Sequence, residues 1–246
     1  MKTRLLLVCC CLCTITTHAQ KVDVSIQANS GLFNFSGSET QSSSYILKYY
    51  QANGSSGNYT TNLYGNRVAF SYGIALQTQY VAKSGFIAGL QGGYDILRSK
   101  TNVTAVQSDQ IIYTFNILTP YPGVSPAAGS AYFQNQFINL NPYFGYSFHI
   151  KKVSLDVVGG TDIGINTGSY DKAKAISENE IYTVDLKKPN APTDWRAKLA
   201  LVAYYNKFGV DVSYAYGFTN YDTQGGSNPL EAHSRLLRFG VSYRIY

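Results

Sequence analysis

The sequence predicts an all-β protein: a transmembrane antiparallel up-and-down β-barrel of eight strands, with short periplasmic turns and long extracellular loops. Three observations lead to this fold class. Apolar and polar residues alternate along the chain with a period of two. The connections between the alternating segments are short and long in turn. No apolar stretch beyond the N-terminal leader is long enough for a membrane-spanning helix.

The alternation is clearest in residues 68–80, where even positions are mostly apolar or aromatic and odd positions are small or polar. In a membrane barrel the apolar face of each strand contacts lipid and the polar face lines the interior. A soluble sandwich would bury the apolar face instead. The same pattern predicts seven further strands, at residues 22–35, 86–96, 138–148, 153–157, 195–203, 210–218 and 238–246.

The connections give independent support for this topology, because barrels of this kind have short turns at one end and long loops at the other. The short connections are residues 82–85, 151–152 and 206–207. The long connections are residues 36–66, 99–136, 167–194 and 222–234. Residues 45–50 and 111–118 are rich in β-formers, so some strands are expected to extend beyond the membrane. A ten-stranded barrel that uses residues 111–118 is the alternative architecture.

The N-terminus predicts a cleaved signal peptide over residues 1–19, which leaves residues 20–246 as the barrel domain. Lys2 and Arg4 precede an apolar run at residues 5–15, and Ala19 offers a small residue for cleavage. All four cysteines lie in this leader, at positions where Val8 and Leu12 disfavour lipidation. The mature chain is therefore expected to have no disulfide, thiolate metal site or cysteine nucleophile.

The composition excludes nucleic acid as a partner. Removal of Lys2 and Arg4 with the leader lowers the formal net charge from +6 to +4, and the remaining basic residues are scattered. Charged residues make up only 14% of the chain, against about 25% in soluble domains. Low charge combined with 22 tyrosines and 22 glycines is typical of a membrane β-barrel.

The final strand resembles the terminal assembly signal of bacterial outer-membrane barrels, with Arg238, Gly240, Tyr243 and Ile245 at the signal positions. With leader and loop pattern, residues 20–246 resemble outer-membrane β-barrel domain proteins of the PorT-like and OmpA/OmpX-like kind. The resemblance implies an outer-membrane location, contact with lipid and lipopolysaccharide, and insertion by the barrel assembly machinery. It also implies a non-enzymatic structural, surface-recognition or secretion/assembly role, although one fold serves many functions.

Charged residues at inward positions predict an interior network whose signs alternate between neighbouring strands. Asp162 is expected near Arg196 or Lys198 toward the outer end, and Asp211, Arg244 and Asp23 toward the periplasmic end. Paired charges avoid most of the cost of burying isolated ones, so a structural salt-bridge plug is expected. A narrow pore for ions or small polar solutes is the alternative. The predicted network comprises Asp23, Asp156, Asp162, Arg196, Lys198, Asp211, Arg238 and Arg244.

No catalytic, cofactor or metal site is predicted, and we expect the protein not to be an enzyme. His149, placed inward near a turn, and His233 are the only histidines beyond the leader. The acidic residues of loop 167–194 match no EF-hand spacing. Tyrosines among small polar residues in the first two long loops suit an extracellular ligand, although some should belong to the interfacial girdle. They are Tyr45, Tyr49, Tyr50, Tyr59, Tyr64, Tyr113, Tyr121 and Tyr132.

Overall fold

The structure is a computed structural model that describes residues 21–50, 56–114, 117–221 and 230–245. The predicted signal peptide (residues 1–19), Gln20 and Tyr246 lie outside the described residues. The strands in chain order are β1 (Lys21–Ser36), β2 (Ser43–Tyr50), β3 (Ser56–Thr60), β4 (Arg67–Val81), β5 (Phe86–Thr114), β6 (Ile117–Ile150), β7 (Val153–Ser177), β8 (Glu180–Lys188), β9 (Asp194–Tyr205), β10 (Phe208–Gly217) and β11 (His233–Arg244). In this part of the chain, no helix has the length and apolar character needed to cross a membrane.

Eight strands form a closed antiparallel ring in the order β1, β4, β5, β6, β7, β9, β10 and β11. The last strand closes on the first, with Ser25 opposite Arg244 and Ser36 opposite His233. The eight-stranded prediction is confirmed. The ten-stranded alternative is wrong, because Ile111 lies opposite Pro120 within the β5–β6 hairpin and adds no strand to the ring.

The two faces of the ring differ as the alternation predicts. On β4 the side chains of Phe70 and Ile74 are 60% and 64% exposed, whereas Ser71, Gln77 and Gln79 are buried inside. The same apolar exterior continues around the ring, for example at Phe144 on β6 and Val210 on β10. An apolar exterior around a polar interior is the arrangement of a barrel surrounded by lipid.

Tight turns connect the strands at one end of the ring, which we call the turn end. Residues 151–152 and 206–207 form two-residue connections, as predicted. Lys151 and Asn206 have φ values of 58° and 54°, in the left-handed region that two-residue hairpin turns require. The opposite end, the loop end, carries the long connections.

Much of the predicted loop sequence is strand. The 29, 34 and 25 residues of β5, β6 and β7 far exceed the roughly 9–11 that cross a bilayer, so these strands continue past the ring. Strand β2 pairs in parallel with the outer part of β5, β3 pairs with β2, and β8 pairs with β7. We call these six paired segments the extension. Strands β5, β6 and β7 thus continue past the ring, and a position of the extension beyond the membrane stays a prediction.

Two apolar clusters lie at the loop end. The mouth cluster closes the ring and contains Phe33, Phe35, Leu97, Phe133, Phe137, Ala215, Tyr221, Ala232 and Leu236. The extension core lies beyond it and contains Ile46, Val103, Val106, Ala131, Ala173, Ala175 and Val184. Register shifts separate the ring from the extension, at Thr167 on β7 and between Val103 and Ala105 on β5.

Candidate functional site

The charged residues of the lumen form three layers, of which the first lies at the turn end. Arg244 Nε is 3.3 Å from Asp23 Oδ2, and Arg244 Nη2 is 3.7 Å from Asp156 Oδ2. The guanidinium lies 3.6 Å from the centre of the Tyr204 ring. Ser147 Oγ donates a hydrogen bond of 2.5 Å to Asp156. The layer thus joins strands β1, β6, β7, β9 and β11.

The middle layer connects its charges through amide side chains. Lys198 Nζ donates to Gln91 Oε1 at 2.8 Å and to Asn141 Oδ1 at 3.2 Å. Gln91 in turn donates to Gln27, and Gln27 donates to Asp211. The sequence predicts Asp211 beside Arg244 and Asp23, but the structure places it in the middle layer, above them. The Asp211 carboxylate accepts a hydrogen bond from the side-chain amide of Gln27, whereas the sequence predicts an arginine partner.

The upper layer contains two arginines among three carboxylates. Arg238 Nη1 donates to Asp162 Oδ2 at 3.0 Å, and Nη2 of the same side chain donates to Asp95. Arg196 Nε lies 3.5 Å from both Asp162 and Asp194. Arg196 is 0% exposed. Because isolated buried charges are strongly destabilising, these side chains must be held together for the barrel to fold.

Strand alternation places these groups inside, but the sequence reading missed several of their partners. Asp194 was assigned to a loop, although it is two residues before Arg196 and so shares its face. Tyr221 and Ser234 each donate a hydrogen bond of 2.7 Å to Asp194. Asn139, which bridges Asp95 and Arg196, was also missed. The other unpredicted partners are Gln27, Gln91, Asn141 and Tyr204.

Side chains fill the lumen. The cavity beside Asp95, Asn141 and Arg238 has a volume of about 10 Å³, at the lower limit of what one water occupies. Above it, Phe35 and Phe137 of the mouth cluster are fully buried. Arg196 lies 5.4 Å from the centre of the Phe137 ring, so the charged layers and the apolar closure are in direct contact.

The structure places Arg238, Gly240 and Tyr243 of the predicted assembly signal on β11, and Ile245 directly after it. Gly240 faces the lumen, where an added Cβ would overlap the carboxylate of Asp211. Tyr243 and Ile245 face outward, and the Tyr243 ring lies 5.2 Å from that of Phe208. Arg238 belongs to the upper charged layer. Recognition of these residues by an assembly machinery stays a prediction.

Among the described residues, His149 and His233 lie at opposite ends of the ring. His149 was placed inward by the alternation, but it is exposed at the turn end. Ser147, two residues earlier, is the β6 side chain that contacts Asp156. His233 is partly buried beside the Thr219 carbonyl oxygen, with its Nδ1 atom 3.0 Å away. Alternation fails at His149 because the strand ends one residue later and the ring no longer encloses it.

The acidic residues of loop 167–194 are held apart. Asp171 is buried and accepts hydrogen bonds from Thr60, whereas Asp185 pairs with Lys172. The Tyr182 hydroxyl donates to the Glu180 carboxylate at 2.9 Å, and this hydrogen bond raises the pKa of Tyr182. Across the described residues there is no group of three or more His, Cys, Asp and Glu side chains arranged to hold a metal ion.

The predicted tyrosines divide between the extension and the mouth. Tyr49 and Tyr59 pack together, with ring centres 5.8 Å apart. Tyr64 packs against Phe133 and Phe35 of the mouth cluster. The side chains of Tyr50, Tyr113 and Tyr121 lie outside the described part of the chain.

A cavity of about 230 Å³, which we call the mouth cavity, opens where the extension meets the ring. It is concave and lined by aromatic rings with a few polar groups, which is the usual character of a small-ligand site. The lining residues are Leu63, Tyr64, Phe133, Lys188, Pro189, Asn190, Ala191, Pro192 and Tyr221.

No protein-family model matches the chain, and no curated protein sequence matches it. Several solved structures match along most of its length. The attachment invasion locus protein Ail of Yersinia pestis is 14% identical with a TM-score of 0.33, covering 92% of this chain and 99% of that one. Neisserial surface protein A (NspA) is 13% identical with a TM-score of 0.31, covering 92% and 99%. The outer membrane protease OmpT from Escherichia coli is 13% identical with a TM-score of 0.34, covering 94% and 98%.

At these TM-scores, the matches do not identify a functional site or a function in this chain. The fold is established by its own geometry. A closed ring of eight antiparallel strands leaves no unpaired edge within the ring, which is what spanning a hydrocarbon layer requires. The exposed apolar exterior and the charged, filled interior complete the description. The chain has the architecture of an outer-membrane β-barrel.

Proposed function

We propose that this protein is a non-enzymatic surface-recognition barrel, in which the ring anchors the protein in the outer membrane and the extension presents a rigid binding surface outside the cell. One observation carries the proposal. Strands β5, β6 and β7 continue past the apolar exterior and, with β2, β3 and β8, fold around an apolar core of their own. Anchoring alone requires no such structure.

Contacts between distant segments make the extension rigid. Ile46 of β2 is fully buried in the extension core. Thr60 on β3 donates two hydrogen bonds to Asp171 on β7, from Oγ1 at 2.8 Å and from the backbone nitrogen at 3.1 Å. Asn58 on β3 donates to the Thr183 carbonyl of β8 at 3.1 Å. The sheet therefore curls until its two edge strands meet, and a preformed surface loses little entropy when it binds.

The mouth cavity is a candidate ligand site for this role. Tyr64, Phe133 and Tyr221 supply ring faces, and Lys188 supplies a positive charge. Lys188 Nζ is 3.8 Å from Asp171, so the ammonium group is held in place although its side chain is still 24% exposed. Ring faces beside one cation suit a ligand that combines a flat or sugar ring with an acidic group.

Binding of acidic oligosaccharides to displayed protein tests this role. Cells that display the protein would be incubated with a labelled panel of uronic-acid, sulfated and neutral oligosaccharides. We expect retention of acidic members and its loss in Lys188→Gln, because the variant lacks the cation that, among the described residues, lines the cavity. Lys207→Gln, at the exposed turn end, is the matched control and should bind normally. Equal binding by Lys188→Gln and the unmodified protein would contradict the assignment.

A narrow pore is less well supported, because of the small lumen cavity and the mouth cluster above it. Planar-bilayer recordings separate the two functions. The filled lumen should show no steady conductance at moderate voltage. Steady channels whose ion selectivity changes in Arg196→Gln or Arg238→Gln would make transport the function instead.

A further inference from the structure

The outer face carries two cross-strand rows of cationic and aromatic side chains where the ring meets the extension. The hydrogen-bonded registers align Arg98, Gln134, Tyr170 and Lys187 in the first row, and Lys100, Tyr132, Lys172 and Asp185 in the second. Lys174 is two residues beyond Lys172 on the same face of β7. We call Arg98, Lys100, Lys172, Lys174 and Lys187, with Tyr132 and Tyr170, the basic patch.

Neighbouring rings hold the charges of the basic patch in position. The contacts to ring centres are Arg98 over Tyr72 at 5.5 Å, Lys100 over Tyr132 at 5.9 Å and Lys172 over Tyr170 at 5.7 Å. Arg98 Nε also donates to Gln134 at 2.8 Å. The two rows contain four cations and a single carboxylate, that of Asp185, which lies 3.3 Å from Lys172. Most of the positive charge is therefore uncompensated.

A recess of about 550 Å³ opens within the patch. Tyr132, Lys172 and Lys174 line it together with Asp185. Small residues of β6 make room for the recess, namely Ala128, Gly129 and Ser130. The recess thus offers two ammonium groups and a phenol, beside the Asp185 carboxylate and the exposed apolar side chain of Ile176.

The position of the patch relative to the apolar exterior limits what can reach it. Ile96, Ile138 and Ile165 are the last outward apolar residues on β5, β6 and β7 before the patch. Arg98 and Lys100 follow Ile96 by two and four residues, about 7 and 13 Å along the strand. Strand tilt shortens these heights. The patch therefore begins directly next to the apolar exterior, at the level where the headgroups of surrounding lipid would lie.

We propose that the basic patch binds a phosphorylated glycolipid of the surrounding leaflet, with its phosphates at Lys100, Lys172 and Lys174 and its acyl chains against the apolar residues below. Lysine and arginine are the side chains that recognise phosphate. A soluble phosphate compound would contact only the basic patch, whereas a phosphorylated lipid contacts both the patch and the adjoining apolar surface. The proposal rests on the proposed orientation, with the extension outside.

Binding of purified protein to a diphosphorylated glycolipid tests the assignment. The protein in phosphatidylcholine nanodiscs would be titrated with lipid A, with dephosphorylated lipid A and with inorganic phosphate. We expect saturable binding of lipid A only, weakened at high salt. The triple variant Lys100→Gln, Lys172→Gln and Lys174→Gln should bind at least tenfold more weakly. The matched triple variant Lys83→Gln, Lys152→Gln and Lys207→Gln removes equal charge at the turn end and should bind normally.

A second variant covers the case in which the triple variant does not fold. Asp185→Asn removes the one carboxylate of the two rows and should tighten lipid A binding several-fold. Equal affinity of the patch and control triple variants, or unchanged affinity in Asp185→Asn, would overturn the proposal. Equal binding of phosphorylated and dephosphorylated lipid A would overturn it as well. None of these results alters the oligosaccharide or conductance tests, so failure here is distinguishable from failure of the surface-recognition role.

Discussion

Strands β5, β6 and β7 contribute to the walls of both the ring and the extension, yet the interiors of the two regions are opposite in chemistry. Along β7, Asp156 and Asp162 face the inside of the ring, whereas Ala173 and Ala175 face the inside of the extension. The outer faces are inverted in the same way, from Ile165 within the ring to Lys172 and Lys174 beyond it. The two interiors thus match two surroundings: a polar interior where the exterior faces lipid, and an apolar interior where the exterior faces water.

The energetics of the two regions differ accordingly. The extension is stabilised like a soluble domain, by removing apolar area from water. Once the ring is in the membrane, its lipid-facing side chains contribute no comparable hydrophobic stabilisation. The stability of its interior depends on ion pairs and hydrogen bonds between polar side chains. Loss of one partner should therefore be more damaging in the lumen than loss of apolar volume in the extension.

The largest effect is expected from Arg196→Met. The substitution leaves Asp162 and Asp194 buried with fewer positive neighbours, and breaking such a pair costs about 3–5 kcal/mol. Urea unfolding of the protein in detergent micelles, followed on gels by heat-modifiable mobility, measures the loss. Arg235→Met on the outward face of β11 is the control. An unchanged midpoint for Arg196→Met would mean that the ring does not depend on this network.

Ile46→Ala should cost about 2–4 kcal/mol, because it opens a cavity in the extension core. The effect should be local: proteolysis should speed up within the extension while the heat-modifiable mobility of the ring stays unchanged. Mass spectrometry of limited-proteolysis fragments checks this. Joint loss of both structures would show that ring and extension unfold as one unit, which would weaken the comparison.

Gly240→Ala measures how tightly the lumen is packed. The new methyl group would overlap the Asp211 carboxylate and approach the Asn29 side chain, and overpacking of this kind costs about 1–3 kcal/mol. The urea midpoint should fall. Gly92→Ala is the matched control, since its added Cβ would have a single neighbouring atom, at 4.0 Å. Equal midpoints for the two variants would indicate a lumen looser than described.

The smallest effect is expected from Asp171→Asn. The amide can still accept from the Thr60 hydroxyl, but it cannot replace the charged acceptor of both Thr60 hydrogen bonds. We expect a loss of about 1–2 kcal/mol confined to the extension, because a hydrogen bond to a charged group contributes about 1.5–3 kcal/mol and a neutral one about 0.5–1.5 kcal/mol. Hydrogen exchange of the β3 amides reports it. Unchanged protection would mean that β3 is held by its pairing with β2 alone.

Period-two alternation was enough to predict the ring and most of its inward residues. It predicted Asp162 beside Arg196, because both lie on inward positions of neighbouring strands. The amide chain from Lys198 to Asp211 was not predictable, since it depends on the stagger between strands that are distant in sequence. The extension was read mainly as loops, because the extra residue at Thr167 shifts the inward phase of β7 and Pro189 and Pro192 interrupt the pattern before Asp194.

The parallel pairing of β2 with β5 affects how readily the protein aggregates, because it covers an exposed strand edge. Strand β5 runs on past the end of β4, and a bare β-edge of this kind is a template for pairing with another copy. Strand β2 covers that edge from Ser43 to Lys48, and β8 covers the matching edge of β7. The remaining edges belong to β3 and β8, which face each other across the Asn58–Thr183 hydrogen bond. Strands β2 and β8 thus protect the chain against aggregation by pairing with edges that another copy could otherwise bind. Shortening residues 36–66 should therefore produce chains that associate with one another.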